Sequence, residues 1–505
     1  MNTTIYRSMW GLLLVLCLTG CKKFLEEKSQ DEVRPGSVAE LQQLLMGEAY
    51  TAGTYSSFHA FLDLMTDDMV SNFNPDKAAE HSYKMYEGPY TWNRGLFEMM
   101  EAADVSEDID TYARYYSCIK GCNVVLEMID GVKGDESERE NVRGQALALR
   151  GFYYFMLTNL FAQPYNTPGI DRSKALGVEL ILNSVVKDEF PKRSTLQAAW
   201  DQVESDLTKA LPIVEKYGTT NTKFRVTPAF MHTLLSRFYL YQEKWDLAAK
   251  HASLGLALNP SLVKLSNIAF PPWYEQPAAG VYSYTSAEVI WLGYASYMEY
   301  YYIGENRAYG AVPFCVSPDL RSKYEYTPSN KNNRGDLRMR YYFGWNMADY
   351  DWTIFVPLAG WKAPKGYQGP VKGMRVAELY LNRAEANIMQ YLKNGDEQLR
   401  VSALRDLNTL RESRYDTRNT AYQPVDKTGD ELLQFCRDER RRELCFEDHR
   451  WFDLRRYGMP EIRHVFQGSV NQAPAEHVLT KGDKHYVLPI PRNALLKNPA
   501  LEQNP

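Results

Sequence analysis

Small residues recur at close-packing intervals within residues 227–260, and this pattern constrains the fold more than any other feature of the sequence. The segment opens with Thr-Pro, a helix-start signal, and continues through Ala248, Ala252 and Gly255 until Pro260 ends a second helix. These are the spacings of a tetratricopeptide helix pair. Because one such hairpin cannot bury its apolar face alone, several must stack. The sequence therefore predicts a mainly α-helical scaffold of tetratricopeptide-like hairpins.

Further helices are predicted on both sides of this pair. Apolar residues at three- and four-residue spacing predict helices over 37–50, 58–70, 108–130 and 138–162. Another helix begins at Thr195 and is expected to end near Pro212. A weaker copy of the small-residue pattern lies at Ala384 and Ala403. The copies are degenerate and separated, so a regular solenoid is not expected.

The helical period fades over residues 261–370, where prolines and glycines are frequent. Runs at 288–292 and 353–356 are candidates for short strands. A compact domain rarely holds a structureless loop of this length, so we expect an ordered, loop-rich insertion lobe with little β structure. The chain is thus divided into an N-terminal helical scaffold over 37–260, the lobe, and a C-terminal helical part and tail over 371–505.

The N-terminus has the pattern of a lipoprotein signal peptide. Arg7 precedes a short apolar run that ends at Leu18, too short to span a bilayer but typical of a signal peptide. Leu-Thr-Gly then precedes Cys21, which is the pattern of a lipobox. We expect residues 1–20 to be removed, Cys21 to carry acyl chains, and residues 21–36 to tether the mature protein to a membrane.

Composition argues against several classes of function. The formal net charge is −5, so no nucleic acid partner is expected. No later segment is long and apolar enough to suggest a membrane span. The cysteines that follow Cys21 are Cys118, Cys122, Cys315, Cys436 and Cys445. Their odd number and their spacing favour buried thiols over disulfides or a zinc site, and we expect neither a metal nor a cofactor.

The charged run from Glu439 to Arg456 could suggest acid–base chemistry, because His449 lies beside an aspartate. Its glutamates and arginines stand three or four apart, which favours ion pairs on a helix surface, with the helix end packed on Trp451. Asp67 and Asp68 are adjacent, so they would not face each other on a helix. The sequence holds no nucleophile elbow, phosphate-binding loop or H-E-x-x-H motif, so an enzyme is not expected.

Tyrosine is concentrated in the lobe. Residues 273–352 hold 14 of the 36 tyrosines, where an even spread would place roughly six. Core packing could account for part of them, but consecutive tyrosines cannot all point inward. Exposed tyrosine and tryptophan offer flat apolar faces with a polar edge, which suit the C–H faces and hydroxyls of sugars. The candidate ligand contacts are Tyr297, Tyr300, Tyr301, Tyr309 and Trp345, with Asn306 and Arg307 as polar neighbours.

A second group of candidate ligand contacts is Tyr90, Trp92 and Asn93, in a predicted ligand loop near 71–107. A Gly-Pro break precedes them, which indicates a loop. Trp92 could equally be a buried anchor of this loop. If its ring is exposed, it would join the tyrosines of the lobe in one aromatic arc.

Five segments together resemble the SusD/RagB family of outer-membrane nutrient-binding lipoproteins. They are the lipobox at Cys21, LMTDD at 64–68, RVAELYLNRAEA at 375–386, ERRRELCFEDHRWFDLRRYG at 439–458 and LPIPRNALLKNPALEQNP at 488–505. The resemblance implies a tetratricopeptide-like scaffold that docks as a lid on a SusC-like TonB-dependent transporter. It also adds weight to both aromatic segments, since ligand sites in the family commonly draw on these regions.

The residues and the resemblance together favour a non-enzymatic, lipid-anchored protein on the surface of a Bacteroidota-type outer membrane. It would bind an oligosaccharide or other glycan and deliver it to that transporter. A peptide-binding lid of the same architecture, similar to RagB, and a structural tetratricopeptide adaptor without a small ligand are the alternatives, and a hydrolase is the weakest. Exposure of the tyrosines distinguishes a binding protein from an adaptor, and turnover of a bound glycan would reveal a hydrolase.

Overall fold

The computed structural model describes residues 35–51, 58–73, 80–103, 110–184, 190–270, 279–295, 313–345, 355–356 and 370–505. At 80–82, 294–295, 344–345, 355–356 and 370–371 it describes the backbone alone. Cys21 and its lipobox lie outside these ranges, so lipidation stays a prediction.

Helices dominate the described residues. The longer ones are α1 (Val38–Glu48), α5 (Thr111–Met128), α6 (Glu136–Phe161), α7 (Leu196–Tyr217), α8 (Pro228–Tyr241), α9 (Trp245–Leu258), α12 (Val376–Asn394), α13 (Glu397–Arg414) and α14 (Gly429–Leu444). Shorter ones are α2 (Glu80–Met85), α3 (Glu87–Tyr90), α4 (Leu96–Ala102), α10 (Pro318–Ser322), α11 (Arg338–Tyr341), α15 (Arg450–Arg456) and α16 (Arg492–Lys497). Within the described ranges, no helix is long and apolar enough to cross a membrane.

The longer helices pack as successive neighbours. Helix α5 packs on α6, α6 on α7, α8 on α9, and α12 on both α13 and α14. Helix α9 also packs directly on α12, so the helices on either side of the lobe form one continuous stack. The predicted fold class, stacked helical hairpins with a loop-rich lobe, is confirmed.

Local sequence explains the hairpin of α8 and α9. The Thr227 hydroxyl accepts a hydrogen bond from the backbone N–H of Phe230 at 3.1 Å, and Pro228 occupies the first helical position. On α9, a Cβ atom at Gly255 would lie 2.8 Å from the Leu379 side chain of α12. A larger residue at this position would have to displace the Leu379 side chain, so glycine favours the close approach of α9 and α12.

Two helix predictions are wrong in part. Helix α7 continues through Pro212 to Tyr217, although proline removes one helical hydrogen bond. Ile213 packs so closely on α6 that a Cβ atom at Gly144 would lie 2.8 Å from it, and this packing offsets the cost. The predicted helix over 58–70 is only a 3₁₀ turn at Ala60–Met65.

The side chain of Thr66 explains why this 3₁₀ turn ends. Its hydroxyl donates to the carbonyl of Asp63 at 2.7 Å and accepts from the N–H of Asp68 at 3.2 Å, so it competes with helical hydrogen bonds. The chain then becomes extended and enters the first strand at Met69.

The described strands form four small antiparallel sheets. They are β1 (Met69–Ser71) with β3 (Phe314–Val316), β2 (Val289–Ala295) with β6 (Pro370–Arg375), β4 (Gly344–Trp345) with β5 (Phe355–Val356), and β7 (Ile462–Phe466) with β8 (Ala475–Leu479). The predicted strand at 288–292 corresponds to β2, and the one at 353–356 to β5. The five cysteines that follow Cys21 are free thiols, and all but Cys315 are buried.

Candidate ligand-binding site

Strands β1 and β3 bring the two predicted ligand segments together. Ser71 pairs with Phe314 across the sheet, and the N–H of Asn72 donates to the carbonyl of Pro313 at 2.8 Å. The loop that follows β1 and the tyrosine-rich segment that precedes β3 therefore leave the sheet side by side. The tertiary structure thus brings together the points where the two segments join the sheet, although they are far apart in sequence. We call this region, around residues 71–72 and 313–314, the base of the ligand loops.

Three aromatic rings hold this base. Tyr90 stacks on His464 with ring centroids 4.2 Å apart, and Trp92 stacks on the same imidazole at 4.3 Å. The Tyr90 hydroxyl accepts from the N–H of Ser71 at 2.7 Å, and the Trp92 indole donates to the carbonyl of Met65 at 2.9 Å. Both rings are thus attached to the turn and strand that lead into the N-terminal ligand loop.

The backbone of Trp92 is in an unusual conformation, with φ of 52°. A bulky residue with positive φ costs of order 1–3 kcal/mol, which surrounding contacts must offset. Stacking on His464 and the indole hydrogen bond supply those contacts. His464 itself is held by the carbonyls of Tyr90 and Thr66, at 2.7 and 3.0 Å from its two ring nitrogens.

The expectation that Tyr90 and Trp92 offer ring faces to a ligand is corrected by their burial. Their exposed fractions are 1% and 5%, because His464 and the neighbouring core cover both rings. The alternative reading of Trp92, a buried anchor of its loop, describes the structure. Asn93, the next residue, is exposed, and its side-chain oxygen accepts from the N–H of Gly95 at 2.8 Å.

The remaining predicted contacts belong to the lobe. Tyr297, Tyr300, Tyr301, Asn306, Arg307 and Tyr309 lie outside the described residues, and so does the side chain of Trp345. His464 was not among the predicted residues. The signal that could have located it is the alternation of apolar residues around it in Ile-Arg-His-Val-Phe, which places the histidine on the buried face of β7.

Ion pairs attach the same base to the C-terminal helices. Arg450 makes two hydrogen bonds to the carboxylate of Asp67, at 2.8 and 2.7 Å, and Arg441 donates to Asp68 at 2.6 Å. Burial opposes ionisation of Asp67, but the Arg450 guanidinium outweighs it and lowers the pKa to about 2. Two of the sequence segments that carry the family resemblance, around 64–68 and 439–458, are therefore in direct contact.

A buried network around Glu443 links the lobe to the helical stack. Arg338, Arg375 and Arg414 approach its two oxygens at 3.1, 2.9 and 2.9 Å, and the hydroxyl of Tyr342 donates to it at 3.0 Å. Despite burial, the three guanidinium groups lower the pKa of Glu443. This carboxylate remains ionised at neutral pH, which suits a structural link and not proton transfer.

The prediction of helix-surface ion pairs in the 439–456 run is wrong in one respect. Glu439 and Arg440 are buried. Glu439 does pair with Arg442 one helical turn away, but it also binds Arg338 and Arg411 on other elements, and Arg440 pairs with Asp453 of α15. Helical spacing within α14 cannot reveal Arg338, Arg411 or Asp453 as partners, because they lie on other elements.

Lys372 of β6 is buried and contacts the 3₁₀ turn that precedes β1. Lys372 lies 2.6 Å from Asp448 and 3.4 Å from Asp63, while His59 lies 3.3 Å from Asp448. Burial raises the pKa of Asp63 to about 6, and burial of Asp448 is outweighed by Lys372 and His59, which lower its pKa. One lysine thus holds two carboxyl groups of different acidity.

Similarity to known proteins agrees with this architecture. A model described as "SusD family" matches residues 270–505, and one described as "Starch-binding associating with outer membrane" matches residues 23–240. No curated protein matches the chain in sequence.

Solved structures share the fold over nearly the whole chain. A SusD-like carbohydrate binding protein from Bacteroides vulgatus has 21% identity and a TM-score of 0.66, with 92% of this chain and 98% of that chain covered. A SusD superfamily protein from the same species has 22% identity and a TM-score of 0.68, with 93% and 99% covered. One from Bacteroides fragilis has 20% identity and a TM-score of 0.63, with 92% and 99% covered. Matched by these family models along most of its length and by these structures in its fold, the chain belongs to the SusD/RagB family.

Proposed function

We propose that this protein captures an oligosaccharide at the outer surface of the outer membrane and passes it to a TonB-dependent transporter. The observation that carries the proposal is the pairing of β1 with β3, which joins the base of the N-terminal ligand loop to the base of the tyrosine-rich segment. A glycan held between them would contact the tyrosine rings and the amide and guanidinium groups of 297–309.

The arrangement favours a binding site built on a rigid support. Tyr90, Trp92 and His464 fix the base of the loops, so this base does not have to be ordered by the ligand. A preorganised support lowers the entropic cost of binding. We propose Tyr297, Tyr300, Tyr301, Tyr309 and Trp345 as stacking platforms, with Asn93, Asn306 and Arg307 as hydrogen-bonding neighbours.

The family descriptions support the class of ligand. One matching family is described as starch-binding, and a structure of the same fold is described as a carbohydrate binding protein. A combined glycan and peptide array, probed with the protein lacking residues 1–21, tests the class directly. Retention of one group of glycans supports the proposal, whereas retention of extended peptides alone would favour the peptide-binding alternative. No retention of either would favour an adaptor.

Catalysis is not part of the proposed role. The glycan identified on the array should be recovered unchanged after incubation with the purified protein. Release of shorter sugars, followed by chromatography, would favour a hydrolase.

Delivery requires a partner that crosses the membrane. Affinity purification of the full chain from mild detergent should recover a large β-barrel protein with it. Recovery of the lipoprotein alone, under conditions that preserve comparable complexes, would contradict this part of the proposal.

A further inference from the structure

A depression on the described part of the chain is lined by residues other than those at the base of the ligand loops. It has a volume of about 500 Å³ and is formed by the connection between α7 and α8, the end of α9 and the segment before β2. None of its lining residues belongs to β1, β3 or the Tyr90–Asn93 turn. Its size is within the range of small-molecule sites, roughly 300–1,000 Å³.

Part of the lining of this depression is aromatic and apolar. Tyr284 lines it with an exposed fraction of 61%, whereas the neighbouring lobe tyrosines Tyr282, Tyr341 and Tyr342 are buried. Leu258 and Phe224 line it too, with exposed fractions of 53% and 36%. A large exposed ring whose pocket is also lined by two exposed apolar side chains offers a flat platform of the kind that sugar rings stack on.

The polar part of the lining is mostly neutral. Threonine and asparagine side chains predominate in it, including Thr220, Asn221 and Thr222, and no carboxylate of the described residues takes part. The one cationic side chain of the lining, Lys223, donates to the backbone carbonyl of Ser286. The Asn221 amide nitrogen makes no hydrogen bond to the described part of the chain, so it can donate to a ligand. These groups suit a neutral ligand with hydroxyls better than a cation or a phosphate.

We propose that this depression is a second, separate binding site for one or two rings of a neutral glycan, with Tyr284 as its stacking platform. The inference rests on the proposed glycan-binding function. A second contact on the same chain would raise the apparent affinity for long glycans, because the second binding event becomes intramolecular.

Electrophoresis of the full chain in mild detergent through gels that contain amylopectin, xylan or galactomannan tests the proposal. For the polysaccharide that retards the unaltered protein, Tyr284→Ala should weaken binding about 5- to 30-fold. Tyr284→Phe should stay within about twofold, because it keeps the ring face. Phe190→Ala is the matched control, since Phe190 is also exposed, at 55%, but does not line the depression.

The outcomes separate the two proposals. Retardation of the unaltered protein together with equal retardation of Tyr284→Ala would overturn the second site and leave the proposed function intact. Equal weakening by Phe190→Ala would also overturn it. If none of the polysaccharides or the glycans of the array binds the unaltered protein, the proposed function itself fails. Loss of a protein partner in Tyr284→Ala, with glycan binding unchanged, would assign the depression to protein docking and overturn the inference.

Discussion

Arg441 and Asp68 form a buried ion pair, with 2.6 Å between Nε and Oδ1, although 373 positions separate them in the sequence. The pair joins α14 to the turn that leads into β1, and Arg441 also reaches Asp319 at the start of α10. One arginine therefore connects the C-terminal helices to the bases of both predicted ligand segments.

Arg441→Leu should strongly destabilise the protein, because it leaves the Asp68 carboxylate buried without its main partner. Removing one member of a buried pair lowers the free energy of unfolding by about 3–5 kcal/mol. Arg463→Leu is the control: Arg463 is about half exposed and pairs with Glu461 and Glu476, so its loss should cost far less stability than the loss of Arg441. Urea unfolding followed by circular dichroism measures both, and equal losses would contradict the structural role of the buried pair.

Asp63→Asn should gain stability relative to the unaltered protein as the pH rises. Burial raises the pKa of Asp63 from 3.8 to about 6, so the folded protein holds this proton more tightly than the unfolded chain. The stability that this carboxyl contributes is fully present below pH 3.8 and is lost as the pH rises through about 6. The asparagine variant has no such loss. The free energy of unfolding of the variant, minus that of the unaltered protein, should therefore grow by up to about 3 kcal/mol between roughly pH 4 and pH 7.

Asp448→Asn provides the opposite case at the same lysine. Lys372 and His59 outweigh burial and lower the pKa of Asp448, so this carboxylate stabilises the folded protein above pH 3.8 and loses that effect as the pH falls. The variant should therefore be clearly less stable than the unaltered protein at neutral pH. The free energy of unfolding of each variant, relative to the unaltered protein, is measured as a function of pH. If it changes in the same direction for both variants, the two carboxyl groups do not differ as described.

Trp92→Ala should lower stability by about 3–5 kcal/mol, the usual cost of removing a buried large aromatic side chain. The substitution removes the stacking on His464 and the hydrogen bond to Met65, and it should also weaken glycan binding by loosening the base of the loops. Thermal unfolding is the decisive measurement. A variant of unchanged stability that no longer binds glycan would show that the ring contacts the ligand instead.

Tyr300→Ala and Tyr301→Ala should show the converse behaviour. These tyrosines are proposed stacking platforms, so each substitution should weaken glycan affinity about 5- to 150-fold with little change in stability. Calorimetry with the glycan identified on the array measures the affinity, after circular dichroism has shown that each variant is folded. If no aromatic residue among those proposed in the lobe changes affinity more than about twofold, the site lies elsewhere.

Cys21→Ala should abolish lipid attachment, because the lipobox pattern predicts that this thiol is the acylated group. Growth of cells with a radioactive fatty acid gives the readout: the band of the unaltered protein should be labelled and that of the variant should not. Equal labelling of both would refute the assignment.

The helical stack could be predicted from the sequence because its signals are local. The Thr-Pro start of α8, the small residues of α9 and the three- and four-residue periods of α5 and α6 each act within a few turns of one helix. The rule that proline ends a helix fails at Pro212, because packing of Ile213 on α6 keeps α7 helical beyond the proline.

The arrangement of the candidate site was decided by contacts between distant segments. The sequence itself determined which residues are aromatic or charged and that the lobe is rich in tyrosine. Only the tertiary structure decided that Tyr90 and Trp92 are buried against His464 while Tyr284 is exposed, and that Asp68 is paired with Arg441. The physical reason is that burial and ion pairing depend on which surfaces meet after the helices stack, and a local pattern does not contain that information.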